Sequence, residues 1–377
     1  MRVAVFTETF LPKTDGIVTV ICLLLDHLTK RGIETVVVAP KMGCDRYRET
    51  PVIGVPGVQL PLYPELRVGP PTLTTYHQVK AFQPDVVHLI HPAIIGIPGL
   101  WMGRRLRKPV LASFHLDLAR MAHHFNIGFL EPAVDYVTKA VFNAADYSLA
   151  PSRPVYEYMT GIGIERVGLW KRGVDAERFN PRYRNAEMRQ RLSGGRTEDV
   201  VLIYVGRLSN EKQIDHLKPV LEQVPGVQLA IVGDGPARAD LEAQFAGLPA
   251  HFVGYMKGEQ LSQAYASADM FVFPSAMETF GLVVVEAMAA GLPVVASRVG
   301  GVRDVVTEGV NGYSYDSGDI PALVAAVRRV AGDRHRMAQM GLAARAFAET
   351  QSWDAMMDEV IVSYQHLLGH GERALSA

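Results

Sequence analysis

The chain alternates short, nearly unbroken apolar runs with longer stretches in which apolar positions recur every three or four residues. Arg2–Glu8 (RVAVFTE), Glu34–Pro40 (ETVVVAP) and Lys108–His115 (KPVLASFH) read as strands. Gly16–Gly32 (GIVTVICLLLDHLTKRG) reads as a helix closed by Gly32. His77–Pro92 and Glu131–Ser152 each read as a helix followed by a strand. Such alternation predicts a parallel sheet covered by helices. The pattern breaks over Lys171–Asp199, which is charged and turn-rich and reads as a linker followed by a polar helix. A second series then begins: Val200–Leu208 (VVLIYVGRL), Val227–Gly235 (VQLAIVGDG), Ala250–Met256, Met270–Ser275 and Leu292–Ser297. The fold class expected is therefore α/β, with two Rossmann-like, doubly wound domains over residues 1–175 and 176–351. The amphipathic tail, 352–377, is expected to cross back to the first domain. Two such domains place the natural ligand site in a cleft at the carboxyl ends of their strands.

Composition narrows the function classes. A chain of 377 residues is too long for one ordinary core. A net charge of -1 gives no general attraction to nucleic acid, so none is expected as a partner. Two cysteines, Cys22 and Cys44, make a disulfide scaffold an unsuitable reading and fit a cytoplasmic setting. The first residues, MRVAVFTETF, are too short and too polar a run for a signal peptide. No apolar stretch has the length of a membrane span, so any meeting with a membrane is expected at its surface, peripherally, on the inner face of the cytoplasmic membrane.

The candidate chemistry lies at strand ends. After the run ending at Val205, Gly206 permits a tight turn, and Arg207 and Lys212 follow. Two cations there suit a diphosphate, Arg as a fork and Lys as a point charge, although a solvated loop reads the same way. Gly233, in VGDGP, is a second strand-end turn where a backbone can approach a flat ligand, or an ordinary turn. It is not a full dinucleotide fingerprint. The stretch PSAMETFGLVVVEAMAAGLPVVAS, Pro274–Ser297, places Glu278 and Phe280 before a helix that opens at Gly281 and Leu282. Free N–H groups at such a start suit phosphate or sugar hydroxyls. Glu286 falls two turns in, among apolar residues, where an unpaired carboxylate is costly. A ribose diol would satisfy it, and Glu278 would do the same for a hexose; the plain alternative for Glu286 is a solvated helix residue. The two carboxylates would straddle a whole nucleotide sugar, which does not suit a glycosidase pair around one bond. In the first domain, Gly16 at a helix start would let backbone approach phosphate or acceptor. Asp15 beside it would serve an acceptor hydroxyl or act as a helix cap. His115 stands just past a strand end. No Asp-x-Asp motif occurs, so a metal-held diphosphate is not expected and no cofactor is called for.

Taken together, these residues resemble the retaining glycosyltransferases of family 4, which have the GT-B fold. The resemblance covers nearly the whole chain and is most specific at ETFGLVVVE, GRLSNEK and His115. It implies that Glu278 holds donor-sugar hydroxyls, Glu286 the ribose, and Arg207 and Lys212 the diphosphate. His115 would lie on the sugar's C6 side, with Gly16 at the phosphate and acceptor. His115, Arg207, Lys212 and Glu278 would carry catalysis, with retention by front-side attack and no protein nucleophile. Within the family, FTETFLPKTDGIVT, GVPGVQLPLYPEL, GIERVGLWKRGVDAERFNP and AYASADMFVFPSAMETFGLVVVEAMAAG look like the bacterial sulfolipid synthases. That implies UDP-sulfoquinovose as donor, diacylglycerol as acceptor and a sulfolipid as product. One departure is Thr279, where the family's motif often carries Gly or Pro; it alters the lip of the sugar pocket.

A sulfonate removed from water needs donors, and His115, Arg120, His123, His124 and Lys139 offer them, with His115 and then Arg120 preferred. A diacylglycerol acceptor requires a membrane-facing patch. Gly99–Pro109 (GLWMGRRLRKP) combines Trp101 with Arg104, Arg105, Arg107 and Lys108, or else is a helix end with cations against its dipole. Leu60–Pro71 reads as an apolar loop able to guide the lipid. Three other readings stay open: another family 4 transferase using GDP-mannose or UDP-glucose, a nucleotide-sugar epimerase on the same fold, and a non-catalytic nucleotide-sugar binder.

Overall fold

The computed structural model describes residues 1–13, 16–60, 63–115, 131–171, 173–278 and 281–369. The chain divides into two units, Met1–Lys171 with Asp354–Ala377, and Arg172–Trp353. In the first, the apolar runs become β1 (Arg2–Thr7), β2 (Glu34–Pro40), β3 (Arg46–Tyr47), β4 (Thr50–Val55), β5 (Val58–Leu60), β6 (Tyr63–Val68), β7 (Val86–Ile90), β8 (Val110–Ser113), β9 (Tyr147–Ala150) and β10 (Val167–Leu169). The main sheet has the order β10-β9-β8-β7-β1-β2-β4-β3. Its core pairings, β1 with β2 and with β7, are parallel, and β3 pairs antiparallel to β4 at the edge. All five residues of β7 are buried, as a strand covered on both faces requires. The chain builds one flank after β1 and returns at β7 to build the other, so strand order reverses between these two strands.

The stretch expected to be an apolar loop over Leu60–Pro71 is instead mostly strand. β5 and β6 form a separate antiparallel hairpin with Val58 opposite Val68 and Gln59 opposite Arg67. Pro61 and Pro64 hide the period-two alternation from a reading of the sequence.

The helix Gly96–Arg105 shows how small residues set the packing. A Cβ on Gly99 would stand 2.8 Å from the Phe6 ring and 2.9 Å from Leu89, and one on Gly103 would stand 2.6 Å from Val110. The glycine side of the helix therefore lies directly on β1, β7 and β8. Ile97 and Trp101 remain 43% and 52% exposed.

Between Asp354 and Gly369 the chain packs on the first unit. The His27 ring lies between Asp354 Oδ1 (3.1 Å) and Asp358 Oδ1 (2.8 Å), and Arg31 also pairs with Asp358. Tyr364 is fully buried. Val174 belongs with the second unit, because it bridges Ser352 and its N–H donates to the Gln351 carbonyl at 2.9 Å. The divisions at 171/172 and 353/354 thus differ by a few residues from 175/176 and 351/352.

The second unit carries β11 (Val200–Val205), β12 (Val227–Val232), β13 (Ala250–Gly254), β14 (Met270–Phe273), β15 (Val294–Ser297) and β16 (Gly312–Tyr315). Their order is β13-β12-β11-β14-β15-β16, all parallel, with the reversal between β11 and β14. Tyr204, Phe273 and Phe271 stack across its centre, with ring centroids 6.3 and 6.0 Å apart. The polar helix after the linker, Ala186–Leu192, is anchored by a buried ion pair, Arg189 to Asp269 at 2.7 Å. Arg189 also donates to the carbonyls of Thr197, Ser267 and Asp199, which satisfies a charge that burial would otherwise penalise. Among the described residues, no helix is long and apolar enough to cross a membrane.

Candidate functional site

In open α/β sheets, ligands bind beyond the carboxyl ends of the strands where the order reverses. The second unit has this point at Val205 and Phe273, and most residues singled out from the sequence converge there. Gly206 follows β11, and the Tyr204 hydroxyl donates to the Arg207 carbonyl at 3.0 Å, fixing the start of the loop. Burial, helped by the nearby Glu278 and Glu211 carboxylates, drives the Tyr204 phenol far above its ordinary range, so it stays a donor. The second glycine turn packs on this loop. A Cβ on Gly233 would lie 1.9 Å from the Gly206 carbonyl oxygen, and one on Gly235 would lie 2.3 Å from that of Leu208. The glycine at 233 is thus required by loop-to-loop contact, a need that the sequence alone does not separate from approach to a ligand.

The loops after β11 and β14 are joined by a hydrogen bond from Ala276 N–H to the Glu211 carbonyl (2.9 Å), while Ser275 Oγ turns its own loop by donating to the Met277 carbonyl (2.7 Å). This brings Lys212 Nζ to 3.2 Å from Glu278 Oε2, with side chains only 20% and 18% exposed. Lys212 Nζ also stands 5.5 Å from the centre of the Phe273 ring. Arg207 is exposed at the head of the same loop.

Gly281 adopts a left-handed conformation, φ +84°, and caps the helix Leu282–Ala289 without a side-chain hydrogen bond. Inside that helix, Glu286 accepts from the Tyr265 hydroxyl at 3.1 Å through Oε2, the only hydrogen-bond partner of its carboxyl among the described residues. Burial pushes its carboxyl up to about 7, against the Tyr265 hydrogen bond and the Arg178 charge, which pull it down. Although part of the residue remains accessible, the carboxyl is not that of a solvated helix position. Its other oxygen has capacity for a ligand hydroxyl.

The first unit treats its reversal differently. Glu8, just past β1, accepts hydrogen bonds from the backbone N–H groups of Ala93 (3.0 Å), Ile95 (2.9 Å) and Gly96 (2.9 Å). Its own carboxylate thus fills the start of the helix Gly96–Arg105, and burial raises its pKa despite those donors. A helix start filled in this way has no room for an added phosphate, whereas none of the described side chains caps the one at Gly281. Gly16 begins the helix Gly16–Lys30. His115 follows β8 and is 6% exposed. Its Nε2 lies 2.9 Å from Ser113 Oγ, its ring meets Trp170 edge-on at 5.6 Å, and its N–H donates to His91 Nδ1 at 3.4 Å. His91 has φ +53°, uncommon for a non-glycine residue, and burial lowers its pKa to about 4, so it is neutral.

Trp101 packs near Tyr76 (5.6 Å) and shares its exposed surface with Ile97 on the same helix. Arg104 donates to the Ala144 carbonyl at 2.8 Å, while Arg105 and Arg107 are exposed and Lys108 is partly so. Lys139 lies on the helix Glu131–Ala144. Asp15, Arg120, His123, His124, Thr279 and Phe280 lie outside the described residues.

Residues 187–347 match the model of glycosyl transferases group 1, and residues 14–178 match that of Glycosyltransferase Family 4. The sulfoquinovosyl transferase SQD2 of Arabidopsis thaliana is 35% identical over 345 residues, 89% of this chain and 67% of that protein. A GDP-mannose-dependent alpha-mannosyltransferase of Mycolicibacterium smegmatis is 38% identical over 378 residues, 98% of each chain. The chain belongs to glycosyltransferase family 4. Its fold is GT-B, with two Rossmann-like units. A sucrose-phosphate synthase from Thermosynechococcus elongatus superposes with a TM-score of 0.77 at 22% identity, over 98% of this chain and 99% of that one.

Three residues of the transferase at these points escape a reading of the sequence. Glu8 sits in the quoted run RVAVFTE, but nothing local says that it will cap a helix some ninety residues on. Tyr265 lies in an ordinary amphipathic helix, Gly258–Ser267. Arg178, in the charged linker, acts electrostatically on Glu286. The only signal available for Arg178 was the density of charge around it.

Proposed function

We propose that the transferase moves sulfoquinovose from UDP-sulfoquinovose to diacylglycerol with retention at the anomeric carbon. The observation that carries the donor half is the convergence, at the β11/β14 reversal, of Arg207, Lys212, the uncapped helix start at Gly281 and two carboxylates. Arg207, Lys212 and the helix N–H groups suit the diphosphate, Glu286 the ribose and Glu278 the hexose hydroxyls. Gly16 and Asp15 are assigned to the acceptor side, and His115 and Arg120 to the sulfonate. The acceptor hydroxyl attacks from the face that the diphosphate leaves, so the chain's work is orientation and stabilisation of the leaving charge. The sugar is supported by the likeness to SQD2, whose name gives sulfoquinovosyl transfer.

A second reading, mannosyl transfer from GDP-mannose, is favoured by the relative that matches 98% of both chains. A panel of radiolabelled UDP-sulfoquinovose, UDP-glucose and GDP-mannose, each with diacylglycerol vesicles, separates them. Labelled lipid is expected from UDP-sulfoquinovose at least about tenfold faster than from the others, a gap of ~1.4 kcal/mol in transition-state binding. Faster turnover of GDP-mannose would replace the first reading with the second, and isomerised UDP-sugar formed without acceptor would point to an epimerase.

The acceptor half requires contact with a bilayer. We assign that contact to the exposed Ile97 and Trp101 with Arg104, Arg105, Arg107 and Lys108. Each cation near an anionic surface contributes about 1 kcal/mol. Replacing Arg105, Arg107 and Lys108 by glutamine is expected to weaken partition onto anionic vesicles by ~100-fold in a sedimentation assay. Unchanged sedimentation would remove this patch from the proposal. The location that follows is the inner face of the cytoplasmic membrane.

A further inference from the structure

A chain of side-chain hydrogen bonds runs through the first unit from the C-terminal helix to His115. The Tyr364 hydroxyl is 2.7 Å from His88 Nδ1, His88 Nε2 is 3.0 Å from Ser113 Oγ, and Ser113 Oγ is 2.9 Å from His115 Nε2. All four side chains are buried, with exposures of 0% for Tyr364, His88 and Ser113 and 6% for His115. Each link is short enough to be a hydrogen bond, and each of the four groups can act as donor or as acceptor. The direction of the chain is therefore a question of where each hydrogen goes.

Tyr364 decides it. Its phenol has one hydrogen, and among the described residues its one hydrogen-bond partner is His88 Nδ1. A buried hydroxyl without an acceptor is costly, so the phenol donates and Nδ1 accepts. A neutral imidazole that accepts at one nitrogen donates at the other, so His88 carries its hydrogen on Nε2 and gives it to Ser113 Oγ. The Ser113 hydroxyl then has two acceptors in reach, His115 Nε2 at 2.9 Å and the Leu89 carbonyl at 3.4 Å. The nearer, better acceptor is the imidazole.

We infer that Tyr364, His88 and Ser113 form a one-way relay that holds His115 in its Nδ1–H tautomer, so that His115 meets the substrate as a hydrogen-bond donor and not as a base. The inference rests on the proposed role of His115 and deepens it. A donor imidazole selects a substrate group rich in acceptor oxygens, such as a hydroxyl or sulfonate oxygen, and it does not take the acceptor's proton. Tyr364, His88 and Ser113 are positioning residues, acting only through His115. The relay also makes that donor depend on the C-terminal helix, whose attachment through His27, Asp354 and Asp358 lies on the same unit.

The test is the tautomer itself. Two-bond nitrogen–proton correlation spectra of the full chain, labelled with nitrogen-15 in histidine, report which ring nitrogen bears hydrogen. Signals are assigned by loss in His88→Gln and His115→Gln. At pH 7.5, opposite tautomers are expected, Nε2–H for His88 and Nδ1–H for His115. His115 as Nε2–H in the wild type would overturn the relay, because Ser113 would then donate to the Leu89 carbonyl. In Tyr364→Phe, the Nδ1–H form of His115 is expected to lose its dominance, and kcat to fall by about tenfold with the donor KM unchanged. An unchanged His115 tautomer in a folded Tyr364→Phe would also overturn it. Should that variant not fold, Ser113→Ala cuts the last link and carries the same expectation. The two readings fail separately. If His115 shows Nδ1–H in the wild type and loses it in Tyr364→Phe, the relay stands; transfer unaffected in His115→Ala would then sink only its proposed role in the reaction.

Discussion

Lys212→Ala is expected to lower kcat by roughly 10²–10³-fold, the loss seen when one donor to a developing anion is removed from a preorganised site. The residue sits at the β11/β14 reversal with its ammonium 3.2 Å from Glu278 and four-fifths removed from solvent. In the proposed reaction, negative charge grows on the departing diphosphate, and a fixed cation there acts more strongly in the transition state than on the bound donor. The effect is therefore expected in kcat more than in KM. A purely structural role for the lysine, neutralising Glu278, predicts something different. The double variant Lys212→Ala/Glu278→Gln would then recover activity, because the stranded charge is gone as well. We expect it to remain as slow as the single variant or slower, measured by nucleotide release in single-turnover experiments. Recovery to within about threefold of wild type would mean that the pair is a buried ion pair and nothing more.

The second large effect is a pH dependence set by Glu286. Its carboxyl is raised to about 7 in the fold, from an ordinary value of 4.5, mainly by burial. Between about pH 4.5 and 7, the folded protein binds the proton that the unfolded chain releases, so stability falls as pH rises through this window and levels above it. The span is on the order of 3 kcal/mol. Glu286→Gln removes this penalty and is expected to raise Tm by a few degrees at pH 8, with little change at pH 4.5.

The same substitution is expected to weaken donor binding about 10- to 100-fold, the range for hydrogen bonds to a charged group. In the wild type, donor affinity should rise as pH passes through about 7, because the ribose diol donates more strongly to the carboxylate than to the acid. Titration calorimetry with an intact nucleotide sugar, whose diphosphate has no ionisation near neutral pH, reads this directly. A flat profile between pH 6 and 8, or wild-type affinity in Glu286→Gln, would dismiss the ribose clamp. The conflict between burial and charge also explains why Tyr265 is there. Its hydroxyl supports the ionised form, and burial raises its own pKa far out of reach, so it remains a donor at every relevant pH.

Much of this molecule was legible along the chain. Parallel strands covered on both faces must be apolar at consecutive positions, so Val200–Val205 and Val227–Val232 announce themselves. Glycines 206 and 281 mark strand ends and helix starts, and charged residues beside them, Arg207, Lys212, Glu278 and Glu286, stand out against apolar surroundings. Edge elements were harder. The hairpin of β5 and β6 is interrupted by prolines, and the short strands β3 and β10 carry too few residues for any period.

Two α/β series, their strand ends and the residue types placed there are thus written along the chain, because burial imposes a local period that each segment carries independently. Which of those ends become neighbours emerges with packing. Lys212 and Glu278, 66 residues apart, meet because β14 returns beside β11. Glu8 closes one helix start, while among the described residues no side chain caps the other, at Gly281. Tyr364 reaches His88 across 276 residues. Strand order and helix return depend on the free energy of the whole packed sheet, which no local pattern of apolar and polar positions encodes.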